Sequence, residues 1–201
     1  PHAFFQEKIE GLPEPGSYAV GSFFMPRDDD ATAHLQDITE NVLAEHDLDV
    51  FAWRSVPTDN STLGETAVNS EPNVVQCFVR SGLDGDAFDR ALYVGRRDLE
   101  TVVEHRQPEG YARFYICSLD RDTVVYKGLL TAEQLPTYYP ELLDERVRST
   151  FAMVHARFST NTLGAWHLAH PYRHIIHNGE FNTIQGNINW MRAREDDLEH
   201  P

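Results

Sequence analysis

Two hydrophobic rhythms alternate along the chain, and that alternation constrains the fold more than any other feature. Short continuous apolar runs bounded by Gly and Pro are the mark of strands buried on both faces, whereas apolar residues spaced three and four apart build one face of a helix. After a Pro/Gly-rich entry at Gly11–Gly16, the run Ser17–Met25 predicts a strand that Pro26 ends. A helix follows, with Asp30 as its cap and Leu35, Ile38, Val42 and Leu43 on its buried face through about His46. Val50–Val56 and Val74–Arg80 predict strands, separated by a turn-rich stretch near Thr58–Glu65. Phe88, Leu92, Leu99, Val102 and Val103 predict a helix over Asp86–His105, which Gly95 weakens at its middle. Tyr111–Leu119 and Thr123–Tyr126 flank Asp120, Arg121 and Asp122 in the pattern of a tight hairpin. Phe151–Phe158 and Tyr172–His177 predict further strands, and Thr183–Glu195 a last helix that Gly186 interrupts. The expectation is one α+β domain in which antiparallel pairing prevails. No repeat, low-complexity tract or Ser/Gly linker divides it.

Charge narrows the partners. With 17 Lys and Arg against 32 Asp and Glu, the net charge is −15. Nucleic acids and anionic membrane surfaces bind clustered cations, so neither partner is expected. A hydrophobic content of 41% is nevertheless too high for a disordered chain. No apolar run approaches the length of a membrane span, and PHAFFQEKIE lacks the pattern of a secretory signal, so a cytoplasmic location is expected. Cys77 and Cys117 both lie in strand-like runs, where small buried thiols are expected rather than a disulfide.

The polar residues that could carry chemistry concentrate late in the chain. His155-Ala-Arg-Phe-Ser-Thr-Asn-Thr162 follows one predicted strand, and His177-Asn-Gly-Glu-Phe-Asn-Thr183 follows another. Strand ends hold side chains and amides rigidly beside a loop that can approach a small polar ligand. Asn178-Gly179 has two readings: a two-residue turn, because both residues tolerate positive φ, or an oxyanion hole built from an Asn amide and a Gly N–H. Arg157, in an apolar run, needs a carboxylate that either a protein side chain or an amino-acid substrate can supply. His167, His170, His174 and His177 raise a rival reading as metal ligands, which Pro171 undercuts by breaking any shared helix face. No Ser-His-Asp arrangement is evident around Ser159, Thr160 or Thr162, and Pro1 is supported as a catalytic base by nothing else in the chain.

These same residues, with Trp166, Asn189-Trp190-Met191-Arg192-Ala193, Tyr115–Leu119, Tyr126-Lys127-Gly128, Ala132–Leu135, Tyr139-Pro140 and Leu143–Arg146, closely resemble the glutaminase domain of the glutamate synthase large subunit. Val20–Pro26 and Trp53–Pro57 follow the same plan with weaker motifs, so the resemblance covers nearly the whole chain. It implies a class II glutamine amidotransferase with the N-terminal-nucleophile hydrolase fold, a four-layer sandwich in which helices pack two antiparallel sheets. Residues 1–201 are then expected to form a single partial domain of that type, incomplete as a sandwich. The implied chemistry is hydrolysis of L-glutamine to glutamate and ammonia by an N-terminal Cys through a thioester. Ammonia then serves the reductive amination of 2-oxoglutarate elsewhere in the enzyme, as part of glutamate biosynthesis and nitrogen assimilation.

By that resemblance Asn178 and Gly179 form the oxyanion hole, Arg157 grips the glutamine α-carboxylate, and Thr160 and Asn161 add hydrogen bonds to the substrate. No cofactor or metal is implied for this segment. FMN and an iron–sulfur cluster are implied for the full-length enzyme, and the implied partners are the rest of the large chain and an electron-donating small subunit or ferredoxin. The departure is at the start, where Pro1 stands instead of Cys, so the segment alone is expected to lack its nucleophile, to be inactive and to expose a sheet edge and apolar surface. A non-catalytic glutaminase-like module that binds glutamine or docks a subunit is the alternative that this departure leaves open.

The acidity itself carries a testable consequence. Of the 17 cations, 15 are Arg and only Lys8 and Lys127 are Lys, so repulsion among the excess carboxylates opposes compaction in dilute buffer. Added salt screens that repulsion. The melting temperature is expected to rise from dilute buffer to molar KCl, and a steady fall with KCl would contradict this.

Overall fold

The computed structural model describes residues 1–157, 163–178 and 183–197. Four strands, β1 (Tyr18–Met25), β2 (Leu48–Ser55), β3 (Asn73–Ser81) and β4 (Tyr115–Asp120), form one antiparallel sheet in the order β2-β3-β1-β4. Each of the four predicted runs that supplies a strand does so within a few residues of the expected bounds. β1 is central because every residue of it is apolar or small, and it pairs on both sides, with Gly21 opposite Cys77 on β3 and Leu119 on β4. A Cβ on Gly21 would collide with the Phe23 ring and come within 2.6 Å of Cys77 Sγ, so only glycine fits that crossing.

Period-two alternation splits the strand residues between two cores. Ala19, Phe23 and Met25 of β1, with Val75, Cys77 and Val79 of β3, face the helices α2 (Asp29–Ala44) and α4 (Gly85–Arg106). Leu35, Ile38, Val42 and Leu43 fill that layer from α2, as their spacing predicts, while Phe88, Leu92, Leu99 and Val103 fill it from α4. Gly95 does not interrupt α4. It lets the helix pass close to α2, since a Cβ there would lie 3.1 Å from both Leu43 and Leu48. The cap of α2 is Asp28 rather than Asp30: its Oδ1 accepts from the Ala31 N–H at 2.9 Å, leaving Asp29 and Asp30 in the first turn where the helix dipole favours them.

The opposite sheet face is aromatic and polar. Phe4 and Phe5 of α1 (His2–Gln6) pack with Tyr18, Val20 and Phe78 at one end. At the other end Phe24, Tyr138, Tyr139 and Trp166 form a second cluster, supported by the short helices α3 (Glu65–Ser70) and α5 (Leu135–Tyr138). Between these clusters lie Ser22, Gln76 and Arg54. Arg54 pairs bidentately with Glu141 and donates to Gln76 Oε1, while Tyr126 donates to Glu141 at 2.6 Å.

The α+β class and the antiparallel pairing agree with expectation. Of the two sheets implied by the resemblance, the described residues form one. Thr123–Tyr126 does not pair as a strand: Asp120 Oδ1 accepts from the N–H groups of Asp122 and Thr123, closing a turn, and the Val125 N–H then meets the Ser118 hydroxyl of β4 instead of a strand carbonyl. Residues 151–157 are irregular, and Tyr172–His177 holds only a single bridge between Tyr172 and Ile175. Both runs have the composition of strands, but among the described residues no neighbouring strand supplies them with a ladder, and Phe158 lies outside those residues. The last helix, α6 (Ile184–Arg194), forms as predicted and leaves Ile184, Trp190 and Met191 exposed.

Lys127 is the one lysine in this interior, only 2% exposed. Burial pulls its pKa from 10.5 down to about 8, with a further push from Arg173 and an opposing effect of Cys117. Above pH 8 the folded chain has shed this proton while the unfolded chain retains it up to its ordinary value, so the unfolded state binds more protons and folding gains stability with rising pH. The native chain is therefore expected to gain stability over a Lys127→Met variant between pH 8 and 10. Urea unfolding at a series of pH values measures the difference, and a gap that does not change would refute the assignment.

Candidate active site

The Tyr126-Lys127-Gly128 segment shows how the sheet sets the site. The Tyr126 hydroxyl meets Gln76 and Glu141, the Tyr139 hydroxyl donates to the Lys127 carbonyl at 2.8 Å, and Gly128 leaves room for Trp166, whose ring would stand 2.6 Å from a Cβ there. Trp166 is tied in turn by its Nε1–H to the Ala67 carbonyl at 3.1 Å. This fixes the turn of Trp166–Leu168 against the sheet. Lys127 Nζ then donates to the carbonyls of His167 and Ala169, both at 2.9 Å.

Just beyond that turn, His170 stacks on His155 with ring centres 4.6 Å apart. His155 joins the two stretches singled out in the sequence. Its Nε2 lies 3.2 Å from Asn178 Oδ1, across 23 residues of chain, and its Nδ1 accepts from the Arg157 backbone N–H at 3.2 Å. An Nδ1 that accepts assigns the proton of the neutral ring to Nε2, which donates to the Asn178 carbonyl oxygen. The Asn178 amide is thereby pinned by its oxygen, and its NH2 group is left to donate elsewhere. His170 is held in the same tautomer, accepting at Nδ1 from the His177 N–H at 3.3 Å, and burial followed by the neighbouring His155 keeps it below the ordinary imidazole range. A cavity of about 120 Å3 lies beside these rings, lined by Tyr126, Lys127, Met153, His155, His170 and Pro171 among others.

Two predicted site residues, Arg157 and Asn178, are thus brought to one histidine. Gly179, Thr160 and Asn161 lie outside the described residues. Arg157 is exposed rather than enclosed in an apolar strand, so burial does not force a partner on it. His155 opens the stretch His155–Thr162, and nothing in its local sequence marks a role for it. The signal was absent because its two contacts depend on where residue 178 returns in space. Neither cysteine enters the site: Cys77 and Cys117 are buried, and burial pushes both thiols up to about 12. The histidine series does not converge either, since His174 turns to Asp120 at 3.5 Å while His170 stacks on His155. Among the described residues no cluster of three or more His, Cys, Asp or Glu side chains is arranged to hold a metal ion, and no helix is long and apolar enough to cross a membrane.

A family model for glutamine amidotransferases of class II matches residues 1–201. The chain belongs to this family. It is 42% identical over 207 residues to the glutamate synthase [NADPH] large chain of Azospirillum brasilense, covering all of this chain and 14% of that protein. Against the glutamate synthase [NADPH] large chain of Bacillus subtilis it is 42% identical over 202 residues, 97% of this chain and 13% of that one. It is also 43% identical over 185 residues to ferredoxin-dependent glutamate synthase 2 of Arabidopsis thaliana, covering 90% of this chain and 11% of the relative. The chain therefore spans about one seventh of the length of the first of these proteins. Membership of the amidotransferase family agrees with the fold class expected from the resemblance.

Proposed function

We propose that this chain forms part of the glutaminase domain of a glutamate synthase, in which L-glutamine is hydrolysed to glutamate and ammonia for the amination of 2-oxoglutarate. The observation that carries the proposal is the His155 bridge, which orients the Asn178 amide and ties it to the Arg157 backbone. When a nucleophile adds to the glutamine side-chain carbonyl, negative charge develops on its oxygen. A preorganised N–H donor is worth most at that moment, because it needs no rearrangement to meet the charge. Asn178, with its oxygen occupied by His155, presents such a donor, and the proposed second donor is the Gly179 N–H. Arg157 is assigned to the substrate α-carboxylate, with Thr160 and Asn161 as further hydrogen-bond groups.

The nucleophile is not supplied by Cys77 or Cys117, whose buried thiols stay protonated at neutral pH. The 201 residues by themselves are therefore proposed to release no ammonia from glutamine. FMN and an iron–sulfur cluster do not fit here. A cluster needs several thiolates, and the chain has two cysteines, both enclosed. The 120 Å3 cavity beside His155 and His170 is itself below the size of pockets that take drug-sized molecules, a class to which a flavin belongs. These groups are assigned to other parts of the polypeptide, as are contacts with a small subunit or ferredoxin. A non-catalytic glutamine-binding module remains the competing reading, and the paired orientation of Asn178 favours catalysis, since binding alone does not require an aimed oxyanion donor.

The test is glutamine-dependent ammonia release by the full-length polypeptide that carries this chain. Asn178→Ala is expected to lower kcat by about 100-fold or more, the usual cost of one oxyanion donor. Arg157→Lys is expected to raise KM for glutamine by about 10-fold with little change in kcat, because it weakens a bidentate grip made equally in ground and transition states. Full activity in the Asn178→Ala protein would refute the oxyanion assignment. Ammonia release by residues 1–201 alone would refute the absence of a nucleophile.

A further inference from the structure

We infer that Lys127 is a positioning residue for the Asn178 amide, acting through the Trp166–His170 turn and the ring of His155. The inference rests on the proposed oxyanion role of Asn178. Lys127 has no carboxylate partner among the described residues. Its ammonium lies 4.4 Å from the centre of the Tyr115 ring and 5.0 Å from that of Tyr172, and it donates to the His167 and Ala169 carbonyls. A buried cation without a counter-ion is costly, and the rings of Tyr115 and Tyr172 beside it would accept an apolar side chain at the same place. What the ammonium supplies, and an apolar group would not, is donors for the turn.

Three successive carbonyls of that turn are held by side chains rather than by a strand. Lys127 takes those of His167 and Ala169, and the Tyr172 hydroxyl donates to that of Leu168 at 2.9 Å. The next residue is His170, whose ring backs His155, and His155 fixes the Asn178 oxygen. Lys127 also lines the cavity that His155 and His170 share. Without its two donors, the His167 and Ala169 carbonyls lose their partners and the His170 ring loses its fixed base. The consequence falls on the direction of the Asn178 amide, a property that matters in the transition state more than in substrate binding.

The experiment uses the full-length polypeptide and two reactions, product formation from glutamine and product formation from ammonium salt supplied directly. Lys127→Met, close to isosteric, is expected to lower kcat with glutamine by about 10-fold or more while KM stays within about 3-fold, and to leave the ammonium-dependent rate unchanged. Added to Asn178→Ala, it is expected to cost less than about 2-fold further, because both changes remove the same donor. An equal loss of both rates, a full additional loss in the double variant or an unchanged glutamine rate would overturn the inference. If the Met variant does not accumulate, His170→Ala tests the same connection at a half-buried ring, with the same split expected and an unchanged kcat overturning it. Full activity of Asn178→Ala is a separate outcome that removes the oxyanion reading itself, and this inference with it.

Discussion

A sheet covered on both faces leaves no water for the polar side chains of its strands, and this constraint organises everything on the face away from α2 and α4. Ser22, Gln76 and Ser118 project from the central strands and β4 into that layer, each nearly inaccessible. Each must find a partner inside the protein, because an unpaired buried polar group costs about 1–3 kcal/mol. Gln76 resolves its own requirement by donating to Ser22 and Tyr126 and accepting from Arg54. Ser118 accepts from the Val125 N–H at 3.2 Å. The polar residues of the sheet thus pull residues 125–141 down onto it, although that stretch contributes no strand.

The candidate site inherits its rigidity from this arrangement. Once Tyr126 is bound to Gln76 and Glu141, the adjoining Lys127 and Gly128 have little freedom. Gly128 admits Trp166 and Lys127 holds the carbonyls after it. Burial of Glu141 beside Arg54 would be costly for an isolated charge. The bidentate geometry and the Tyr126 hydroxyl supply the hydrogen bonds that make such a pair tolerable. Tyrosine hydroxyls recur throughout this layer because each ring packs while its oxygen reaches a polar partner. Tyr138, for example, donates to Glu71 at 2.9 Å, and that carboxylate also receives Arg27 and Asn60.

What the sequence revealed follows from the range of the forces involved. β1, α2, β3 and α4 were legible because their patterns are local: the run through Phe23 and Phe24, the spacing of Leu35 and Ile38, and the Phe88 to Val103 series each declare a buried face without reference to other residues. The cap of α2 moved by two residues because three consecutive Asp side chains compete for one position, and composition does not rank them. Thr123–Tyr126, 151–157 and Tyr172–His177 carry strand composition, yet a strand exists only where another offers its ladder, and that is not a local property. The site divides in the same way. Asn178 and Arg157 stood out by residue type and neighbours, whereas His155 and Lys127 matter through contacts with residues 23 and 40 positions away.

The histidine bridge shows why such long-range contacts are chemically decisive. An asparagine amide is nearly symmetric in shape and opposite in charge at its two ends, so rotating it by half a turn converts an oxyanion donor into a repelling oxygen. Packing alone does not discriminate between these orientations. A hydrogen-bond donor does, and in the neutral ring His155 Nε2 carries that proton only while Nδ1 is bare. The Arg157 backbone N–H, pointing at Nδ1, favours that state, whereas a proton on Nδ1 would set two donors against each other. The residue assigned to the substrate carboxylate therefore also fixes, through its backbone, the tautomer that aims the amide assigned to the oxyanion. In the proposed function, substrate placement and charge stabilisation both rest on one imidazole, so the orientation of that ring, and not the presence of Asn178 alone, decides where the amide is aimed.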